Sequence, residues 1–82
     1  MNLKEITENL KDCRKELIWG HISFSREPMN IIVKTNSITY LCLRIVIYSV
    51  SMTLVLNDYK RVEVEYKDII GGLKKCQNTM KI

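Results

Sequence analysis

Few residues of this 82-residue chain have the types and spacing that catalysis requires. Glu63 and Glu65 are two positions apart, so a strand would place both carboxylates on one face. General acid–base catalysis needs two carboxylates in different environments, because their pKa values must separate. The alternation of Arg61 and Lys67 with these two glutamates is instead typical of a solvated sheet face. We therefore predict no acid–base site here.

Residues that could act in nucleophilic catalysis or bind a metal ion are also few. His21 is the one histidine, so a Cys–His pair would require it to meet a cysteine in the folded state. Cys13, Cys42 and Cys76 are far apart in sequence, whereas structural zinc sites draw ligands from close pairs. The segment 71–74, Gly-Gly-Leu-Lys, lacks the spacing of a phosphate-binding loop. We expect no enzyme, no metal and no cofactor. We expect reduced, buried thiols, with one intermolecular disulfide as the alternative.

The strongest candidate for a binding surface is the apolar segment of residues 38–50. Because successive side chains of a strand point to opposite faces, its odd positions would form one apolar face and its even positions a second. A strand with one buried face normally has polar residues on the other, so the second face is unusual. Tyr and Arg are enriched at binding hot spots because they combine large rigid area with polar tips. The odd face comprises Leu41, Leu43, Ile45 and Ile47, and the even face Tyr40, Cys42, Arg44, Val46 and Tyr48. The predicted partner-binding residues are Tyr40, Arg44, Val46 and Tyr48. The alternative is that the domain covers both faces itself.

Charge suggests a second candidate surface. The net charge is +4, of which residues 59–82 contribute +3. A nucleic-acid-binding protein of this size usually has a denser basic stripe, because each neutralised phosphate requires a Lys or Arg. Phosphate binding by the C-terminal third is therefore kept as an alternative. Its candidate residues are Lys60, Arg61, Lys67, Lys74 and Lys75.

The first element that must position these residues is an N-terminal helix. Asn2 and Glu5 have the spacing of a capping box. Apolar residues then recur at spacings of three and four, which predicts a helix over residues 3–18 that ends at Trp19-Gly20. The apolar positions are Leu3, Ile6, Leu10, Cys13 and Leu17.

From Ile22 onward the period changes to two, which predicts strands. Pro28 and the Asn36-Ser37 pair mark turns, and Asp68 can cap a short C-terminal helix that carries Leu73 and Cys76. The predicted strands cover residues 22–25, 30–35, 38–50, 52–56 and 61–66. The expected fold is α+β, with about five short antiparallel strands in a curled sheet or SH3-like barrel and a helix at each end. A single domain spans residues 1–82.

A membrane span is the competing interpretation of the 19 residues from Ile38 to Leu56. Arg44 lies within this segment, and a central Arg costs ~2.5–3.5 kcal/mol on insertion scales. The segment is also rich in β-branched and aromatic residues, which favour strands. We expect strands, and a protein of the cytoplasm of a bacterial host.

The segment Arg61-Val62-x-Val64-x-Tyr66-x-Asp68-Ile69-Ile70 resembles the end of small SH3-like barrels of low-GC bacteria, such as Veg-type proteins. In those proteins a similar strand leads into an acidic cap and a short helix. The likeness covers about ten residues and implies an SH3-like barrel here. This chain lacks the Gly-rich basic segment that such proteins carry upstream, and no function is carried over from them.

The composition bears on origin and function. Alanine is absent, while residues with AT-rich codons are abundant, which indicates a low-GC bacterium, its phage or another virus. Together with the small size, this favours a non-enzymatic protein that blocks or modulates a protein partner, such as a phage-encoded inhibitor of host defence of the anti-CRISPR kind. A chain this short buries a modest core, so we also expect a homodimer. The alternatives are a nucleic-acid-binding regulator and a small-ligand sponge.

Overall fold

The computed structural model describes residues 2–73, and within them one short helix precedes seven antiparallel strands. The elements are α1 (Leu3–Asn9), β1 (Arg14–Ile18), β2 (His21–Ser25), β3 (Ile31–Thr35), β4 (Thr39–Ile47), β5 (Ser51–Leu56), β6 (Arg61–Glu65) and β7 (Ile69–Gly72). A 3-10 helix, Tyr66–Asp68, connects β6 to β7. The α+β expectation is thus confirmed as a small sheet-rich domain with a helix at its N-terminal end. The count of five strands is wrong.

Helix α1 begins as predicted but ends early. The Asn2 side chain accepts a hydrogen bond from the Glu5 backbone N–H at 2.9 Å, and the Glu5 carboxylate accepts from the Asn2 N–H at 3.1 Å, which confirms the capping box. The helix ends at Asn9 rather than near residue 18, and Ile6 is the residue it buries. The apolar spacing that continues over residues 13–17 does not produce a helix, because residues 14–18 pair with a neighbouring strand instead.

That neighbouring strand is β2, and the two form a hairpin. Ile18 pairs with His21, so Trp19-Gly20 is a two-residue turn rather than a helix end. Both turn residues have positive φ, as type I′ hairpin turns require. Leu17, which a helix would have buried, is 73% exposed. Strand pairing thus determines the structure of residues 14–18, although their apolar residues have helical spacing.

Strand β4 lies at the centre of the sheet. Its Cys42 pairs with Ile31 of β3 and with Leu56 of β5, so β3 and β5 lie along opposite edges. Strand β2 pairs with residues 44–46 of β4, β1 adds to β2, β6 adds to β5, and β7 adds to β3. The sheet does not close, so the barrel alternative is wrong for the described residues.

The C-terminal helix predicted from Asp68 is also corrected. Residues 69–72 form β7, in which Gly72 pairs with Val33 of β3. Gly72 has φ +93°, and a Cβ atom there would overlap the carbonyl oxygen of Ile32. Glycine is therefore required where the two backbones approach each other. The rest of the predicted helix, residues 74–82, lies outside the described part of the chain.

A β-bulge changes which residues of β4 face the core. The pairing of β4 with β5 shifts register between Cys42 and Arg44. Cys42 is buried before the shift, and Ile45 and Ile47 are buried after it. The extra residue exchanges the two faces, as bulges do. The prediction of two constant faces along residues 38–50 is therefore wrong. We call the side of the sheet that carries Arg44, opposite Ile45, the outer face.

The core lies on the other side of the sheet. Side chains from α1 pack there against the buried residues of the strands. Its fully buried members include Ile6, Leu10, Ile31, Val33, Cys42, Ile45, Met52 and Leu54. Burial of this apolar area is the main stabilising contribution to a domain of this size.

Candidate partner-binding groove

The strand register arranges the outer face in rows of side chains that cross five strands. One row runs through Glu16, Ser23, Val46, Thr53 and Glu63. The next row runs through Arg14, Ser25, Arg44, Val55 and Arg61. Directly paired residues of neighbouring strands lie on one side of a sheet, so each row is a line of neighbours. Acidic side chains mark both ends of the first row, whereas the second row carries three arginines.

The structure divides the predicted partner-binding set. Arg44 and Val46 share the outer face, and Tyr48, just beyond the end of β4, lies on the same side. Tyr40 instead pairs with the buried Val33 and packs against the core. The bulge is the reason, since it places residues before and after it on opposite faces.

A groove of about 550 Å³ lies over the outer face. We call it the outer-face groove. Most of its lining is apolar or aromatic, and its charged lining residues are two arginines and one glutamate. It is lined by Ile18, Trp19, Glu27, Leu43, Arg44, Val46, Tyr48, Thr53, Val55, Tyr59 and Arg61.

Arg44 is fixed in the groove by two neighbouring strands. Its Nη1 donates to Glu16 Oε1 at 3.0 Å and to Ser23 Oγ at 2.7 Å. Glu16 also lies 3.4 Å from Arg14 Nη2, so two guanidinium groups share one carboxylate. The Arg44 side chain is 28% exposed. Charge-assisted hydrogen bonds of this kind hold a long side chain in one orientation.

Tyr48 is held from two directions. Its ring lies against His21, with centroids 4.4 Å apart and planes tilted by 58°. Its backbone carbonyl oxygen accepts a hydrogen bond from the Tyr66 hydroxyl. Burial raises the pKa of Tyr66, an effect that this hydrogen bond partly opposes. The single histidine of the sequence therefore packs against one of the residues that line the groove.

Two further aromatic residues line the groove, and the sequence reasoning missed both. Trp19 is 92% exposed in the β1–β2 turn, and Tyr59 is 76% exposed in the β5–β6 turn. Both have left-handed backbone, with φ of 55° and 68°. A left-handed conformation costs a bulky residue ~1–2 kcal/mol, so turns normally place Gly or Asn there. The signal in the sequence was an aromatic residue at a turn position, in Trp19-Gly20 and in Asn57-Asp58-Tyr59.

The alternative phosphate-binding set is only partly described. Lys60 Nζ lies 3.9 Å from an Asp58 carboxylate oxygen, and Lys67 Nζ lies 3.5 Å from one of Glu65. Arg61 lines the outer-face groove. Two of the three described cations therefore already have an acidic neighbour. The other two residues of this set, Lys74 and Lys75, lie outside the described residues.

Of the residues considered for catalysis, Glu63 and Glu65 both lie exposed on β6, two positions apart. Glu63 accepts a hydrogen bond from Ser51 Oγ at 2.9 Å. Cys13 and Cys42 are buried, and burial raises the pKa of Cys42 to about 12. Since the thiolate is the reactive form, Cys42 is not an activated nucleophile. Among residues 2–73, no group of three or more His, Cys, Asp or Glu side chains could hold a metal ion.

A membrane-spanning helix and a known relative are two general indicators of function. No helix within residues 2–73 is long and apolar enough to cross a membrane. Comparison with protein-family models, with curated proteins and with solved structures finds no match.

Proposed function

We propose that this protein is a small non-enzymatic binding protein whose outer-face groove binds a segment of a protein partner. The observation that carries this proposal is the left-handed backbone conformation of Trp19 and Tyr59. Each exposed aromatic side chain lines the groove from a turn position that favours Gly or Asn. A conformation that destabilises the folded chain is retained where it serves binding.

The chemistry of the lining supports a protein partner. Exposed Trp, Tyr and Arg side chains are those enriched at protein-binding hot spots, because they bury large area at a small entropic cost. Trp19, Tyr48 and Tyr59 supply this area, and Val46 and Val55 form an apolar floor between them. A groove of this form is suited to the side chains of an extended or helical segment.

The charges of the groove favour protein over nucleic acid. Aromatic residues and arginines also bind single-stranded nucleic acid, but a continuous track of cations must then follow the phosphates. Here Arg44 is paired with Glu16, and Glu27 lines the same groove as Arg61. Acidic side chains therefore interrupt the arginines, so the groove does not offer the continuous track of cations that phosphates require.

We propose further that binding blocks or modulates the partner. Support comes from the small size and from a composition that indicates an AT-rich phage or bacterial genome. An inhibitor of a host defence protein, encoded by a phage, is the proposed biological class.

A random dodecamer peptide library, selected on the immobilised full-length protein, tests the proposal. We expect recovered peptides to bind the wild type and to lose at least ~10-fold in affinity to a Trp19→Asn/Tyr59→Asn double variant. The matched control is Ile70→Thr, because Ile70 is also an exposed apolar residue but lies on β7 outside the groove. Peptides that bind the double variant as well as they bind the wild type would exclude the groove as the binding site.

A further inference from the structure

Arg44 has hydrogen-bonding capacity that the described chain does not use. A guanidinium group carries five N–H donors. Nη1 makes both side-chain hydrogen bonds of Arg44, to Glu16 and to Ser23, and Nε and Nη2 donate no hydrogen bond to a group among residues 2–73. These two atoms form the edge that binds a planar carboxylate with two parallel hydrogen bonds.

The positive charge around Arg44 is not fully neutralised by its acidic neighbours. The Glu16 carboxylate is shared between Arg44 and Arg14, so it does not neutralise both. Arg61 lies in the same cross-strand row, separated from Arg44 by Val55. The row therefore has a local excess of positive charge, and a single carboxylate of a partner would complement it.

The walls of the groove define what should adjoin that carboxylate. Val46 and Val55 lie next to Arg44 on the outer face, and Trp19 and Tyr59 line the groove from its two sides. An apolar surrounding strengthens an ion pair with Arg44 and, at the same time, favours a large apolar neighbour. We infer that the outer-face groove selects protein segments in which an Asp or Glu adjoins a large apolar residue, with the free edge of Arg44 binding the carboxylate. This inference rests on the proposed function.

The same peptide selection tests the inference through the sequences that it recovers. We expect Asp or Glu beside an aromatic or large aliphatic residue in most peptides selected on the wild type. A synthetic peptide with this acid replaced by its amide, Glu by Gln or Asp by Asn, should bind about 10-fold more weakly. With the Arg44→Gln variant, the acid and its amide should bind within about 2-fold of each other, because the group that distinguishes them is gone.

Two further variants separate recognition from folding. Arg44→Lys keeps the charge but loses the two-pronged edge, so it should lose about 10-fold in affinity for the acidic peptide while its thermal unfolding stays cooperative. Lys67→Gln is the matched control, since Lys67 is also a cation beside a glutamate, Glu65, but does not line the groove. The acid preference should persist in Lys67→Gln.

The contrary outcomes are distinguishable. Recovered peptides that need Trp19 and Tyr59 but show no enrichment in acids would overturn this inference and leave the proposed function intact. A failure to recover any peptide that depends on the groove would overturn both. Binding of a twelve-nucleotide oligo(dT) that weakens when Arg44 is replaced would assign the free edge to phosphate rather than carboxylate, and would overturn the inference as well.

Discussion

Trp19 and Tyr59 lie at opposite edges of one sheet face and share a left-handed backbone conformation, with φ of 55° and 68°. Trp19 belongs to the turn that follows β1, and Tyr59 to the turn that precedes β6. Both line the outer-face groove. Two independent turns thus place a bulky aromatic residue where the backbone favours Gly or Asn. Under the proposed function, this unfavourable conformation is retained at both turns because the two aromatic side chains bind the partner.

Replacement of either aromatic residue should stabilise the fold. Trp19→Asn and Tyr59→Asn should each raise the free energy of unfolding by about 0.5–1 kcal/mol, because Asn adopts left-handed backbone at a smaller cost. Urea denaturation followed by circular dichroism measures the change. Val50→Asn is a control at another exposed turn residue, whose φ is not positive, and it should bring no gain. A decrease in stability for both aromatic variants would show that their side chains support the fold.

Arg44 and Glu16, which form an ion pair, should be energetically coupled to each other. In a double-mutant cycle with Arg44→Met and Glu16→Gln, we expect a coupling free energy of about 1 kcal/mol, since Arg44 is partly buried and also holds the buried Ser23 hydroxyl. Thermal and chemical unfolding of the four proteins gives the value.

The exposed pair Lys67–Glu65 provides a comparison for that cycle. Its N–O distance is 3.5 Å, but both side chains are largely in solvent. We expect a coupling below about 0.5 kcal/mol. Equal couplings for the two pairs would mean that the Arg44 network adds nothing to the stability of the domain.

Gly72 should tolerate no side chain. Gly72→Ala should lower the free energy of unfolding by about 2 kcal/mol or more, because φ is +93° and the new Cβ would overlap the Ile32 carbonyl. Gly71→Ala is a matched control in the adjacent position, where a Cβ meets nothing within 4 Å and φ is not positive. Its stability should stay within about 1 kcal/mol of the wild type. Similar losses in both variants would contradict the close approach of β7 to β3.

Alkaline pH should destabilise the fold in part through Cys42. Its pKa is raised by burial from 9.0 to about 12, so the folded state binds its proton more tightly than the unfolded state does. This contribution to stability is complete below pH 9 and is lost as pH rises towards 12. Tyr66, whose pKa burial also raises, acts in the same direction.

A Cys42→Val variant isolates this effect. The decrease in Tm between pH 7 and pH 10.5 should be smaller for the variant than for the wild type, because valine has no proton to lose. The Tm values come from circular dichroism over a pH series. Parallel pH profiles for the two proteins would show that Cys42 does not contribute to alkaline unfolding.

Local signals in the sequence predicted much of the fold. The capping box of Asn2 and Glu5 and the two-residue turn at Asn36-Ser37 were both predicted and are both present. In that turn, the Thr35 hydroxyl accepts from the Ile38 N–H at 3.1 Å and donates to the Ile38 carbonyl oxygen at 2.9 Å. Such signals are reliable because the groups that interact lie within a few residues of each other.

The sequence by itself determined a β-rich domain with a capped N-terminal helix and a central strand that carries Arg44 and Val46. Only the tertiary structure decided where the helix ends, which face Tyr40 takes, and that Trp19 and Tyr59 line one groove. Helix length depended on the pairing of residues 14–18 with β2, and the faces of β4 depended on a bulge defined against β5. Periodicity describes neighbours along the chain, whereas register is set by hydrogen bonds and burial between residues far apart in sequence.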